Sequence, residues 1–276
     1  MMMDVTLLQI AALFYLLSAG AFVVYLVLLR PFLSRLAPLL LLGGFIAHAA
    51  ALGFHFLQPA GYPAATHFRE ALALYSWVMV AVYLLVQLKY RLNILGSFIA
   101  PLAFLMSLGA FASGAGIAEL PRALKTYWLP VHVTLAFLGN SVFALAFAVS
   151  LMYLLQEYQL KHKKMSVLQK RFPSLEALDR FNYVFLVWGF PFMTLGIITG
   201  SVLAGVQWGD YWSWDPRQIT SAITWLLYGA LLQGRITAGW RGRKAALLTI
   251  VGFAVVLGYF LLGAAVFPSR HTGRFE

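Results

Sequence analysis

The sequence predicts an all-α, polytopic membrane protein of about eight transmembrane helices, with both termini on the external side. Three observations carry that prediction. Of 276 residues, 62% are hydrophobic and 11% charged, too little charge to cover a soluble domain of that size. Eight apolar stretches, about 5–29, 38–57, 71–88, 94–112, 130–156, 181–203, 219–234 and 245–267, approach or exceed the roughly 20 residues that cross a hydrocarbon core. They are too long and continuous for alternating barrel strands, and inside lipid a helix satisfies its own backbone polar groups. The loops, finally, carry their basic residues unevenly. Fourteen of the twenty lysines and arginines fall in one set of alternate loops and six in the other. The richer set belongs inside.

Taken in order, the first stretch follows Met-Met-Met-Asp, which lacks a basic n-region, so it is expected to be retained as a span rather than cleaved. The second carries His48 and His55, seven residues apart and so on one face. They stand ~10 Å apart along the axis, too far to clamp one iron. Intramembrane ionisable residues point to function, and a packed, hydrogen-bonded histidine is the equal alternative. The third stretch opens with Glu70, whose charge suits a helix N-terminus, just after His67. The fourth ends in small residues, Ala110 to Gly114, suited to close helix packing. The fifth opens with Pro130 and His132 on the external side. The loop 157–180 is the most basic and reads as a topology anchor touching anionic headgroups; its His162 receives no role. The sixth contains Pro191, where a kink is expected, and Gly196 to Gly200, a second small-residue spacing. After the eighth come Arg270, His271 and Arg274. No inverted repeat is visible, and a single membrane domain, 1–276, accounts for the layout.

The formal net charge of +11 is thus topological, and nucleic acid is not an expected partner. Absence of cysteine excludes thiol redox chemistry, thiolate metal ligands and a covalent Cys-x-x-Cys-His haem site within the chain. No motif for nucleotide binding, a zinc protease or a serine nucleophile is present.

Chemistry concentrates between the sixth and seventh stretches. Residues 208–218 read Trp-Gly-Asp-Tyr-Trp-Ser-Trp-Asp-Pro-Arg-Gln, with three tryptophans, a tyrosine and two aspartates in eight positions. An interfacial aromatic belt accounts for one or two such residues per loop end; this density suggests a ligand platform, in an external segment of about 204–218. Trp208, Tyr211, Trp212 and Asp215 would share a helical face by their spacing, although Pro216 disfavours helical geometry at Asp215. Asp215 also reads as an N-cap, with Pro216 at the first helical position and Gln218 at the capping-box position. A structural cap and a ligand contact are both open for Asp215. His132 and His271 lie on the same side of the membrane. Neutral imidazole ligates haem iron, and Trp208, Tyr211, Trp212 and Trp214 with Arg217, Arg270 and Arg274 offer a flat aromatic bed and cations for propionates. Together these make a coherent site for haem b.

These residues resemble the tryptophan-rich WWD signature of the cytochrome c assembly proteins, the CcsA/CcmC haem-handling superfamily. His132 to Tyr153 resembles that family's first external-histidine helix, His271-Thr-Gly its second external motif, and Phe68-Arg-Glu-Ala-Leu with Trp77 the segment opening an early helix in CcsA-type members. The resemblance implies that His132 and His271 are axial ligands of an externally presented haem resting on Trp208 to Asp215. It implies hand-over to an apocytochrome c with a CcsB-type partner, in the cytoplasmic (inner) membrane. The chain departs from the pattern at Gln233, where related CcsA members carry a histidine holding haem within the membrane, at Gln218, where glutamate is commoner, and in the wording after His271. The eight-span layout is also similar to the HemX-like branch, associated with regulation of haem biosynthesis. Two expectations therefore stand beside haem presentation: a HemX-like regulator or scaffold, and a transporter of another amphiphile.

Overall fold

The computed structural model of the chain describes residues 2–28, 30–56, 68–112, 128–163 and 172–259. Every regular element among them is a helix: α1 (Met2–Leu28), α2 (Pro31–Phe56), α3 (Phe68–Tyr90), α4 (Asn93–Ala112), α5 (Trp128–Lys161), α6 (Leu175–Trp208), α7 (Pro216–Thr237) and α8 (Arg243–Gly258). Six, α1 to α6, are long and apolar enough to cross a membrane. The protein is an all-helical, polytopic membrane protein. α7 carries Thr220, Ser221, Thr224 and Gln233, and the described part of α8 has 16 residues, so these two fall short of that measure. α6 remains helical through Pro191.

The chain packs as two compact units, Met1–Phe137 with Ser166–Phe172, and Leu138–Met165 with Pro173–Glu276. In the first, α1 lies along α2 and α4, α3 along α4, and α2 also meets α3. Lipid-exposed helices gain little from hydrophobic sequestration, so close approach at small residues supplies the attraction. Gly44 shows this: a Cβ there would stand 2.6 Å from the Tyr15 ring. Phe22 meets Tyr83 edge-on at 6.2 Å.

The second unit holds the remainder of α5 with α6, α7 and α8. α5 and α6 meet at Gly139, where a Cβ would lie 2.9 Å from the backbone nitrogen of Met193. Phe143 then crosses to Tyr228, ring centroids 4.1 Å apart, and Phe147 to Phe253 at 4.9 Å. Gln156, Asn182, Thr224 and Thr249 are buried in this unit. Thr249 donates to Asn182 Oδ1 at 3.2 Å and to its own helix at Ala245 O, as a polar group shielded from water must.

α6 and α7 are tied at both ends. At one, Arg235 Nη1 and Nη2 donate to the two oxygens of Asp179 at 3.0 and 2.6 Å, and Gly242 N–H adds a third bond at 2.7 Å. The other end, about 40 Å away along α6 by helical rise, is the tryptophan-rich connection.

Candidate functional site

The connection between α6 and α7 is built by two helix ends. α6 stops at Trp208 because Gly209 takes the left-handed conformation, φ +80°, and its N–H closes on Gly205 O at 3.0 Å. Glycine adopts that conformation without steric cost. α7 begins at Pro216, whose missing N–H costs a helix nothing at its first position. Asp215 is the N-cap: its Oδ1 accepts the N–H of Arg217 at 2.9 Å, and the residue is 5% exposed. The cap expected from the sequence is therefore present. The capping box takes a different form. Gln218 Oε1 accepts the N–H of Ser213 at 2.9 Å and its hydroxyl at 3.2 Å, so it clamps the segment leading into the cap.

The single helical face expected for Trp208, Tyr211, Trp212 and Asp215 does not form, because residues 209–214 leave the helix. The turn instead carries Tyr211, Trp212 and Trp214, while Trp208 remains the last residue of α6. Trp214 sits at φ +55°, a left-handed conformation that a bulky residue adopts only under constraint; the Gln218 clamp before it and the Asp215 cap after it provide that constraint. Trp214 is 73% exposed and Tyr211 68%. Trp212 meets Trp214 edge to face, centroids 5.7 Å apart at 89°. Tyr211 lies back over Gly205, where a Cβ would come within 2.7 Å of its ring. Arg217 is exposed in the first turn of α7, beside N–H groups that a helix start leaves facing outward. Farther along, Trp225 Nε1 donates to Thr194 Oγ1 at 2.9 Å and stacks on Phe190 at 5.4 Å, which holds α7 against α6.

This arrangement offers exposed aromatic rings, two of them set at right angles, with a cation and a helix N-terminus. Its residues fit a planar amphiphile carrying carboxylates. Such a molecule finds ring faces for its apolar body and Arg217 for its charge.

The histidines are distributed differently. His132 lies half-buried in the first turns of α5, in the first unit. His271 and Arg270, with His67 and Arg274, lie outside the described residues. His48 is fully buried, with Tyr15 Oη 3.2 Å from its Nδ1. His55 pairs with Glu70, Nε2 to Oε1 at 3.3 Å. The two histidines of α2 thus take separate partners, on α1 and α3. Sequence reasoning missed the Asp179–Arg235 pair and the seat that Gly205 makes for Tyr211. Both join residues with no spacing signature to link them.

The family model described as cytochrome C assembly protein matches residues 66–265, most of the chain and the whole tryptophan-rich connection. The chain belongs to the cytochrome c assembly protein family. Among the relatives, the cytochrome c biogenesis protein CcsA of Chlamydomonas reinhardtii is 34% identical over 220 residues, covering 75% of this chain and 60% of its own. The CcsA of Guillardia theta is 32% identical over 235 residues, covering 77% of this chain and 78% of its own. That of Microcystis aeruginosa is 32% identical over 269 residues, covering 78% and 81%. A solved structure of the cytochrome c heme lyase CcmF matches 99% of this chain and 50% of its own, with a TM-score of 0.67 and 19% identity; that likeness is one of fold.

Proposed function

We propose that this protein takes part in cytochrome c maturation by holding haem at the external face of the cytoplasmic membrane and presenting it to an apocytochrome c. Family membership supports the role in cytochrome c biogenesis. The observation that carries the haem reading is the constrained aromatic turn, where Trp214 and Tyr211 stand exposed beside Arg217. Trp208, Tyr211, Trp212 and Trp214 support the macrocycle of haem b, Arg217 and Arg270 take the propionates, and His132 and His271 are the axial ligands. Asp215 organises the rim as a cap. Haem supplies the group that is transferred; the chain supplies its support, orientation and release. The whole of 1–276 works as one membrane domain with both termini outside, alongside a CcsB-type partner.

Purified protein reconstituted with haem should show a low-spin spectrum, and the double change His132→Ala/His271→Ala should abolish it. Full haem occupancy in that double variant would overturn the axial assignment. Reporter fusions placing residues 208–218 on the cytoplasmic side would remove the site's orientation altogether.

Gln233 favours a second reading. It is exposed on α7 and puts an amide where CcsA-type relatives are expected to carry an intramembrane histidine, which suits a HemX-like regulator of tetrapyrrole synthesis. Deleting the gene separates the two. Loss of holocytochrome c supports presentation, and altered tetrapyrrole precursors with normal holocytochrome c support regulation.

A further inference from the structure

The end of the second unit marked by Asp179 and Arg235 carries another cleft, between α5 and α8. Its volume is about 360 Å³, and Leu154 and Leu247 form its apolar wall. Lys161, His162 and Arg243 line its rim around Glu157. The polarity of this rim is directional. The Glu157 side chain is 16% exposed, whereas those of Lys161 and Arg243 are 59% and 61% exposed. Lys161 Nζ lies 2.9 Å from Glu157 Oε1 and Arg243 Nη1 3.8 Å from Oε2. One withdrawn carboxylate therefore orients two cations that project outward. An ammonium has three donors and a guanidinium five, so most of these N–H groups still point away from Glu157. Tyr158 meets the His162 ring at a tilt, centroids 4.3 Å apart, and is itself exposed, the placement of an aromatic at a membrane boundary. One turn beyond Leu247 on α8, Val251 is exposed and extends the same apolar helix face.

We infer that this α5–α8 cleft binds the phosphate of an anionic phospholipid, with Lys161 and Arg243 on the headgroup and Leu154 and Leu247 along the first acyl carbons. Free phosphate would use the cations alone; the apolar wall selects the lipid. The site is separate from the aromatic turn and does not depend on its haem reading. Cationic clefts at the ends of membrane helices recognise such headgroups through this combination of charge and apolar stem. The withdrawn Glu157 keeps the two cations in register at some cost in anion affinity.

The test is native mass spectrometry of the purified full-length chain in neutral detergent, titrated with phosphatidylglycerol or phosphatidylcholine of identical acyl chains, and separately with inorganic phosphate. Phosphatidylglycerol should bind about tenfold more tightly than phosphatidylcholine. Lys161→Gln and Arg243→Gln should each weaken it about fivefold and the double change about twentyfold, while Glu157→Gln should strengthen it. Melting temperature checks that the variants fold. If the double variant does not fold, the rise with Glu157→Gln and a loss with Leu247→Asn decide the matter. Equal binding of the two lipids, an unaffected double variant, or inorganic phosphate competing as well as phosphatidylglycerol would each overturn the assignment.

Discussion

Gln218 Oε1 accepts two hydrogen bonds from Ser213, one from its N–H and one from its hydroxyl, and so reaches back across the start of α7 to hold the turn that displays Trp212 and Trp214. Gln218→Ala should release that turn. Each lost bond contributes about 1 kcal/mol net, so the expected result is faster limited proteolysis within 209–214 and weaker haem binding, with helix content by circular dichroism unchanged. Gln218→Glu keeps an acceptor at the same reach and should retain most of the protection. Unchanged proteolysis in Gln218→Ala would show that the clamp is dispensable.

Asp215 separates two roles by substitution. Asparagine caps helices about as well as aspartate, whereas alanine loses about 1 kcal/mol. Asp215→Asn should therefore preserve both melting temperature and haem occupancy, and Asp215→Ala should lower both. If Asp215→Asn melts normally yet loses haem, the carboxylate itself contacts the ligand.

The far end of α6 and α7 is held by a bidentate pair. Asp179→Ala leaves the Arg235 guanidinium and the N–H of Gly242 without their acceptor. The pair is only partly shielded, so the expected loss is about 2 kcal/mol, read as a drop in melting temperature. Asp179→Ala/Arg235→Leu should recover part of that loss, because removing both charges leaves none uncompensated. An additive double variant would contradict this account.

The contact of α5 with the α6 backbone predicts a steep size dependence at Gly139. Alanine there brings a Cβ to 2.9 Å from Met193 N, which forces α5 and α6 to separate. Gly139→Ala should destabilise by about 1–3 kcal/mol and Gly139→Leu should prevent folded protein from accumulating in the membrane. Normal levels of both variants would place the packing elsewhere.

In the first unit, Tyr15→Phe removes the hydroxyl that lies 3.2 Å from His48 Nδ1. A buried imidazole left without that partner should cost about 1–2 kcal/mol, seen as lower thermal stability. His48→Leu in the Tyr15→Phe background should restore much of it. If Tyr15→Phe melts like the unchanged protein, the pair contributes nothing to the packing of α1 on α2.

Among the described residues, α1 to α6 were legible as spans because a span is a local property: composition over about 20 residues decides it. The start of α7 was legible for a similar reason, since Asp215, Pro216 and Gln218 act within one turn of each other. The expected helical face through Trp208, Tyr211, Trp212 and Asp215 failed at Gly209, where a residue able to adopt φ +80° ended α6. Spacing rules assume an unbroken helix, and one residue suffices to break it.

What the sequence determined by itself was therefore the class of the molecule, the order of its helices and the composition of its aromatic turn. Each follows from neighbouring residues, lipid and backbone alone. Tertiary structure decided which partners those residues meet. Tyr15 reaches His48 across 33 positions, Asp179 meets Arg235 across 56, and Thr249 meets Asn182 across 67. Such pairs depend on how helices slide and rotate against each other, which is set by where small residues let them touch. No local pattern encodes that depth, whereas the constraint on Trp214 is local, set by the Gln218 bonds to Ser213 and by the Asp215 cap.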